Sequence, residues 1–329
     1  MKGLFDRSRK LSQKILQNKI RLVFLCCLTG FFFSNSHISG QDEFITIKSN
    51  ETIQIDKAKG NAILKGGVEV VQESTKSFLK SELVEIKRDN ASRKIVLIKA
   101  KGKVQGTFNQ INPETKVVRT VFLICKAAEL DRNLNRATLR GGVKVTSHDF
   151  ELTADSVDYD LRQELGTMTE IPGKQVKFIL KKNTNSKTNA PESANVTPEV
   201  IEGFADELRV NRSAKKMTLQ GKIKIHDKSE EAEFSGNRAD IYLDDNEKLQ
   251  RIVAYQNVVI SQPNRLSQAD RAVFDYRSNS ITLTGNASVK EKNQMEMNAP
   301  RITLHMDEDM GFISGGDKTP VKGKVNISP

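Results

Sequence analysis

Ala137-Thr138-Leu139-Arg140-Gly141-Gly142-Val143-Lys144-Val145 and, a few residues on, Glu151-Leu152-Thr153-Ala154-Asp155-Ser156-Val157-Asp158-Tyr159-Asp160 are the unit from which this chain is built. The first phrase is an alternating strand interrupted by glycine. The second is an alternating strand whose apolar phase slips by one residue after Ala154. Both return. The glycine phrase recurs as Met217-Thr218-Leu219-Gln220-Gly221-Lys222-Ile223-Lys224-Ile225, and the second phrase as Ala205-Asp206-Glu207-Leu208-Arg209-Val210 and Ala269-Asp270-Arg271-Ala272-Val273-Phe274-Asp275. Self-similarity at a fixed period decides the fold before any single residue does.

Aligned on the small residue, the copies have anchors at Asn50, Ser81, Cys125, Ala154, Ala205, Gly236, Ala269 and Ala299, spaced by 31, 44, 29, 51, 31, 33 and 30 residues. The period is therefore about 30, the length of one supersecondary unit. The two long spacings contain polar insertions, TFNQINPETKVVR around Gly106 to Arg119 and KKNTNSKTNAPESANVT from Lys181 to Thr197. Insertions in connecting loops leave the repeat count intact.

Each unit reads as a hairpin with a second bend. Polar turns such as Asp131-Arg132-Asn133-Leu134-Asn135 and Arg277-Ser278-Asn279-Ser280 separate its strands. The phase slip predicts a bulge or bend near Asp155 and Ser156, with Ala154 small enough for the close approach a bend demands. The position after the anchor holds Asp155, Asp206 and Asp270, but also Glu82, Lys126, Asn237 and Pro300. Such variety suits a turn or edge residue and not a catalytic pair or metal ligand. A lone hairpin cannot bury its apolar face, so neighbours stack and bring Val143, Val145, Val157 and Tyr159 to one interior. The expected product is all-β, an elongated bent sheet with an apolar lining and open strand edges at its ends. Such edges invite end-to-end pairing, and Val321-Lys322-Gly323-Lys324-Val325-Asn326-Ile327 still alternates at the C-terminal end.

The 329 residues are 37% hydrophobic, with no tryptophan and 8 prolines, a composition that folds around a thin core. Residues 1–21 carry seven basic side chains and one acidic, and the apolar run Leu22 to Phe33 (LVFLCCLTGFFF) follows. Residues 1–40 thus read as a signal peptide cut after Ser36 or Gly40, or as an uncleaved inner-membrane anchor. They supply +6 of the formal net charge of +11, so the basicity is mostly a targeting feature and does not call for nucleic acid. Cys26 and Cys27 lie in the apolar run, which leaves Cys125 alone in the rest of the chain and no internal disulfide there.

Glycine-centred hairpins such as Ala62-Ile63-Leu64-Lys65-Gly66-Gly67-Val68-Glu69-Val70, alternating with the phrases at Ala154-Asp155 and Ala269-Asp270, resemble the periplasmic lipopolysaccharide transport protein A (LptA) family, the OstA-like domain. The resemblance covers about residues 45 to 329. It implies a β-jellyroll trough of stacked short antiparallel strands that holds the acyl chains of lipopolysaccharide and leaves the sugars in water. It also implies a carrier that assembles head to tail and docks onto related trough domains of inner-membrane and outer-membrane transport components. The chain is long for a single-domain member. It divides into a first OstA-like block at 41–180, a polar linker or insertion at 181–199 and a second block at 200–329. The anchor reading keeps open the inner-membrane-tethered component of the same pathway.

If the trough holds lipid, its lining is expected to include Val143, Leu152, Val157, Tyr159, Leu208, Val210, Ile223, Ile225, Ala272, Phe274, Leu283, Ile302 and Leu304. The competing expectation is that these residues only pack against each other. No cofactor, metal or catalytic residue is expected. The four histidines, His37, His148, His226 and His305, have no ligand spacing, and no convergent carboxylates suggest a polysaccharide-cleaving solenoid. The rival from another class is a structural or adhesive surface solenoid, with the same repeats and a fully packed interior.

Overall fold

The computed structural model describes residues 45–92, 94–111, 118–148, 150–182, 199–228, 231–244, 249–292, 295–305, 311–314 and 322–325. The segment at 1–40 and most of the 181–199 insertion lie outside the described residues. Every regular element within them is a strand: β1 (Ile45–Lys48), β2 (Thr52–Asp56), β3 (Asn61–Gln72), β4 (Ser77–Arg88), β5 (Ile95–Ile111), β6 (Val118–Asp131), β7 (Arg136–Thr146), β8 (Phe150–Asp160), β9 (Leu165–Thr169) and β10 (Val176–Lys182), then β11 (Glu199–Ala205), β12 (Glu207–Asn211), β13 (Lys216–Asp227), β14 (Ala232–Leu243), β15 (Leu249–Gln262), β16 (Arg265–Asp275), β17 (Ser280–Glu291), β18 (Met295–His305), β19 (Gly311–Ser314) and β20 (Lys322–Val325).

All pairings are antiparallel. The twenty strands make sixteen rungs, because β1 with β2, β9 with β10, β11 with β12, and β19 with β20 are each one rung split in two. The ladder runs unbroken from end to end. The ladder continues across the boundary expected between residues 41–180 and 200–329, with β9 paired to β12 and β10 to β11.

Six rungs, alternate ones in the ladder, bend at their middle through a bulge of one fixed kind. In β3, β5, β7, β13, β15 and β17 two consecutive residues have positive φ: Gly66-Gly67, Gly102-Lys103, Gly141-Gly142, Gly221-Lys222, Gln256-Asn257 and Gly285-Asn286. Each pair faces one residue of the following strand, as Gly141 and Gly142 face Asp155 between the Arg140–Ser156 and Val143–Ala154 partners. Two residues against one bend the strand and flip its inward phase. The phase slip in the sequence points to a break near Asp155. The structure keeps β8 continuous there and puts the extra residue on β7 instead. The lone facing residues are Glu82, Lys126, Asp155, Asn237, Asp270 and Pro300, the variable position after each anchor. Pro300 is tolerated because the ladder is already broken where its N–H would be needed.

These corner residues also explain the glycines. A Cβ on Gly141 would come within 2.8 Å of the Lys126 Cβ, and one on Gly285 within 2.5 Å of Asp270 Oδ2. Glu82 and Asp206 crowd Gly102 and Gly221 in the same way. Glu82, Lys126, Asp206 and Asp270 therefore each lie over the first glycine of the next bulge. Bulk is the shared feature, while polar contacts are particular to each corner, as where Asp270 accepts from Asn286 at 3.0 Å.

The bend folds the ladder into two facing half-sheets with turns along both free edges. On one edge a side-chain oxygen begins the turn and a left-handed residue ends it. Asp131 Oδ1 accepts from Leu134 N at 3.0 Å and Asn211 Oδ1 from Ala214 N at 2.8 Å, while Asn135, Lys215 and Asn279 have positive φ. Both insertions fall on the opposite edge. The first lengthens a hairpin and is not simply a loop: β5 runs to Ile111 and β6 starts at Val118, with Phe108 and Val121 buried.

Candidate functional site

Inward side chains of the two half-sheets meet in one apolar cluster that extends from Leu64 on β3 to Leu304 on β18. The register shows why it is continuous. One inward residue per rung forms a row along the ladder: Leu64, Val84, Ala100, Ala128, Leu139, Val157, Met168, Leu208, Leu219, Ala239, Ala254, Ala272, Leu283 and Ile302. All are buried and none is polar. A second row, two residues nearer the free edge, includes Ile98, Leu130, Tyr159, Val210, Ile241, Phe274 and Leu304. The facing half-sheet supplies Val70, Leu79, Leu123, Val145, Leu152, Phe178, Ile225, Phe234, Ile260 and Val289.

All thirteen residues expected to line the interior do face it. Val157, Leu208, Ala272, Leu283 and Ile302 lie in the first row, and Tyr159, Val210, Phe274 and Leu304 in the second. Leu152 and Ile225 lie on the facing half-sheet, while Val143 and Ile223 sit beside the bend. Met168, Leu219, Ala239 and Ala254, absent from the sequence-based expectation, continue the same row. Met168 is in the short β9, where Gly166 and Thr167 blur the alternation, and the alanines carry little apolar signal. Counting back two residues from Gly221 would have recovered Leu219; the other three have no glycine bulge on their strand to count from.

Packing across the interior is tight where it can be followed. Ala239, Ala254 and Ala272 are successive members of the first row and form a floor of small side chains over three rungs. Phe234 from one half-sheet and Phe274 from the other meet across the interior, edge to face with ring centroids 5.6 Å apart. Cys125, beside the bend, donates to the Ala127 carbonyl at 3.3 Å, and burial pushes its thiol pKa up to about 12. Such a thiol is a small apolar packing group and not a nucleophile.

The ends differ from the middle. On β1 and β2, Ile47, Ile53 and Ile55 lie in register with the inward residues Val70, Leu64 and Ala62, yet are 39%, 51% and 65% exposed because no rung covers them among the described residues. Among the described residues, the apolar interior is therefore uncovered at its N-terminal end.

Charge is confined to the outer faces. On β7 and β8, Asp158 accepts from Arg136 at 2.7 Å, Arg140 at 2.8 Å and Thr138 at 3.1 Å. At the equivalent place on β13 and β14, Asp240 takes Lys216 at 2.9 Å, Arg238 at 3.1 Å and Thr218 at 3.0 Å, with its side chain only 2% exposed. Burial alone would raise both carboxyl pKa values. The hydrogen bonds and cations around them outweigh it and hold both below the usual carboxylate range. Among the described residues no group of three or more His, Cys, Asp or Glu side chains is arranged to hold a metal ion.

A family model described as LptA/(LptD N-terminal domain) LPS transport protein matches residues 46–119, 125–238 and 204–310, which together take in most of the ladder. The chain belongs to this family. The all-β ladder expected from the repeats is thus that of a lipopolysaccharide transport family. The crystal structure of LptH from Pseudomonas aeruginosa, the LptA-homologous periplasmic component of the conserved lipopolysaccharide transport device, aligns at 16% identity over 49% of this chain and 94% of its own length, with a TM-score of 0.33. No curated protein matches the sequence.

Proposed function

We propose that this protein is a periplasmic carrier whose interior receives the acyl chains of lipopolysaccharide and passes them along the ladder between the inner and outer membranes. The observation that carries this reading is the uninterrupted apolar row from Leu64 to Ile302, which gives a lipid chain the same surroundings at every rung. A chain moving through water would expose apolar surface at a cost of about 25 cal/mol per Å², whereas one sliding between rungs exposes almost none. The filled interior means that lipid enters by parting the half-sheets. Rotating the Phe234 and Phe274 rings away makes room between the half-sheets, and acyl chains take their place.

The N-terminal end left uncovered among the described residues, with Ile47, Ile53 and Ile55 in line with the interior, supports head-to-tail continuation onto a second copy or a related trough domain. The blocks at 41–180 and 200–329 act in this reading as one conduit, joined at β9–β12 and β10–β11.

The test is photo-crosslinking in living cells with a light-activated residue at Phe274 or Val157 and a control at the exposed, outward Lys224. Lipopolysaccharide adducts at the first two positions and none at Lys224 are expected. An exported, folded protein without adducts at any position would instead establish a packed structural solenoid.

A further inference from the structure

The outer face of β13–β18, on the half-sheet that carries Asp240, has a charge pattern that the interior reading leaves unused. Its outward residues form three rows. One runs Gln220, Arg238, Tyr255, Arg271, Thr284, Arg301; the next Thr218, Asp240, Val253, Val273, Thr282, Thr303; the third Lys216, Tyr242, Arg251, Asp275, Ser280, His305. Five of these are cations of Lys or Arg type and two are acids. The same face on β5–β8 is balanced: Lys99, Lys101, Arg136 and Arg140 each hold a carboxylate, of Glu129, Glu85, Asp158 and Asp158 respectively. On β13–β18 the buried Asp240 serves Lys216 and Arg238, while Arg271 and Arg301 have no acidic partner among the described residues.

Arg238, Arg271 and Arg301 stand in one row on alternate strands, about 10 Å apart. The tyrosines are set between cations. Tyr255 has Arg238 at 5.4 Å and Arg271 at 5.8 Å from its ring centroid, and Tyr242 has Arg251 at 4.5 Å and Lys216 at 5.4 Å. Arg251 Nε is shielded from solvent and has no hydrogen-bond acceptor among the described residues. Guanidinium groups in a fixed row match phosphate oxygens two at a time, and flat aromatic rings match the apolar faces of sugar rings.

We propose that this face binds a phosphorylated saccharide of the kind that heads lipopolysaccharide, with Arg271 and Arg301 as the principal phosphate contacts. This rests on the carrier reading above. The face carries none of the exposed large apolar side chains that would sink into a bilayer; Phe122, Ile124 and Val118 belong to β6, on the other half-sheet. That contrast favours a wet, anionic sugar over a membrane surface.

The probe is the deacylated core oligosaccharide of lipopolysaccharide, with phosphates retained or removed, titrated against the purified protein by calorimetry at low ionic strength. Arg271→Gln/Arg301→Gln is expected to weaken binding of the phosphorylated probe about tenfold or more and to flatten its salt dependence, with Arg271→Lys/Arg301→Lys in between. Both arginines are exposed, so the unfolding midpoint should not move. Equal affinity for wild type and the Gln pair, or equal affinity for both probes, overturns the proposal. Binding to phosphatidylglycerol vesicles without binding to the oligosaccharide overturns it in favour of a bilayer surface. Crosslinking at Phe274 separates the two readings. Adducts that persist in the Gln pair with an unchanged oligosaccharide affinity refute the headgroup site alone, whereas a wild type that binds the oligosaccharide yet gives no interior adduct refutes the carrier and leaves the surface site.

Discussion

Gly141 and Gly142 give a direct test of what bends the ladder. They are neighbours in the same bulge, with φ of +80° and +65°, so alanine at either must adopt a left-handed backbone. That costs about 1 kcal/mol. Their surroundings differ. A Cβ on Gly142 meets nothing within 4 Å, whereas one on Gly141 lies 2.8 Å from both the Cβ and the Cδ of Lys126. The Cβ of Lys126 is fixed to the backbone of β6 and cannot swing away, so β6 and β7 must separate slightly at the corner. Gly142→Ala is therefore expected to cost about 1 kcal/mol and Gly141→Ala about 2–3 kcal/mol, the excess being overpacking. Urea unfolding followed by far-ultraviolet circular dichroism measures both. Shortening the corner residue adds a control: with Lys126→Gly the two alanine variants should converge. If Gly141→Ala and Gly142→Ala are equally costly in the presence of Lys126, the corner side chains do not shape the bend, and their bulk is not the reason for glycine at Gly141.

Asp240→Asn leaves Lys216 and Arg238 without a counter-charge. Since those partners are 26% and 47% exposed, the expected loss is about 1–2 kcal/mol at neutral pH in thermal unfolding. The folded pKa values of Asp158 and Asp240 are depressed, so both stabilise the fold above the ordinary carboxylate range, and that contribution disappears as pH falls through the lower folded values. The stability deficit of Asp240→Asn should accordingly shrink in acid, and a deficit independent of pH would contradict this. With its thiol pushed to about 12, Cys125 should resist a thiol reagent at pH 8 in the native protein and react once urea unfolds it; rapid native labelling would mean that the bend opens readily. Phe234→Ala removes one of two buried rings that meet across the interior. It should destabilise the protein by about 3 kcal/mol in denaturant titration yet raise the yield of lipid adduct at Phe274, and a fall in adduct would count against entry at this point.

The sequence by itself determined the repeat, the strand class and which residues face inward. Those properties follow from local period: apolar side chains at every second position must share a face, and a phase slip must be absorbed within a residue or two. That is why Val157, Tyr159, Leu208 and Phe274 could be placed inside from their spacing alone. The strand that takes up the slip was less legible. Ala154-Asp155 carries the visible change of phase, but the extra residue belongs to Gly141-Gly142, because a bulge is a relation between two strands and is not written in either one. The corner residues were likewise unreadable singly: Glu82, Lys126, Asp270 and Pro300 share no chemistry, only the glycine or broken ladder beside them. Tertiary structure alone decided that Ala239, Ala254 and Ala272 lie side by side in one row and that Phe234 and Phe274 meet across the interior. It alone also brought Arg238, Arg271 and Arg301, some thirty residues apart in the chain, into one row. Both arrangements depend on the register of successive rungs, which hydrogen bonds between strands set and no local stretch of sequence contains.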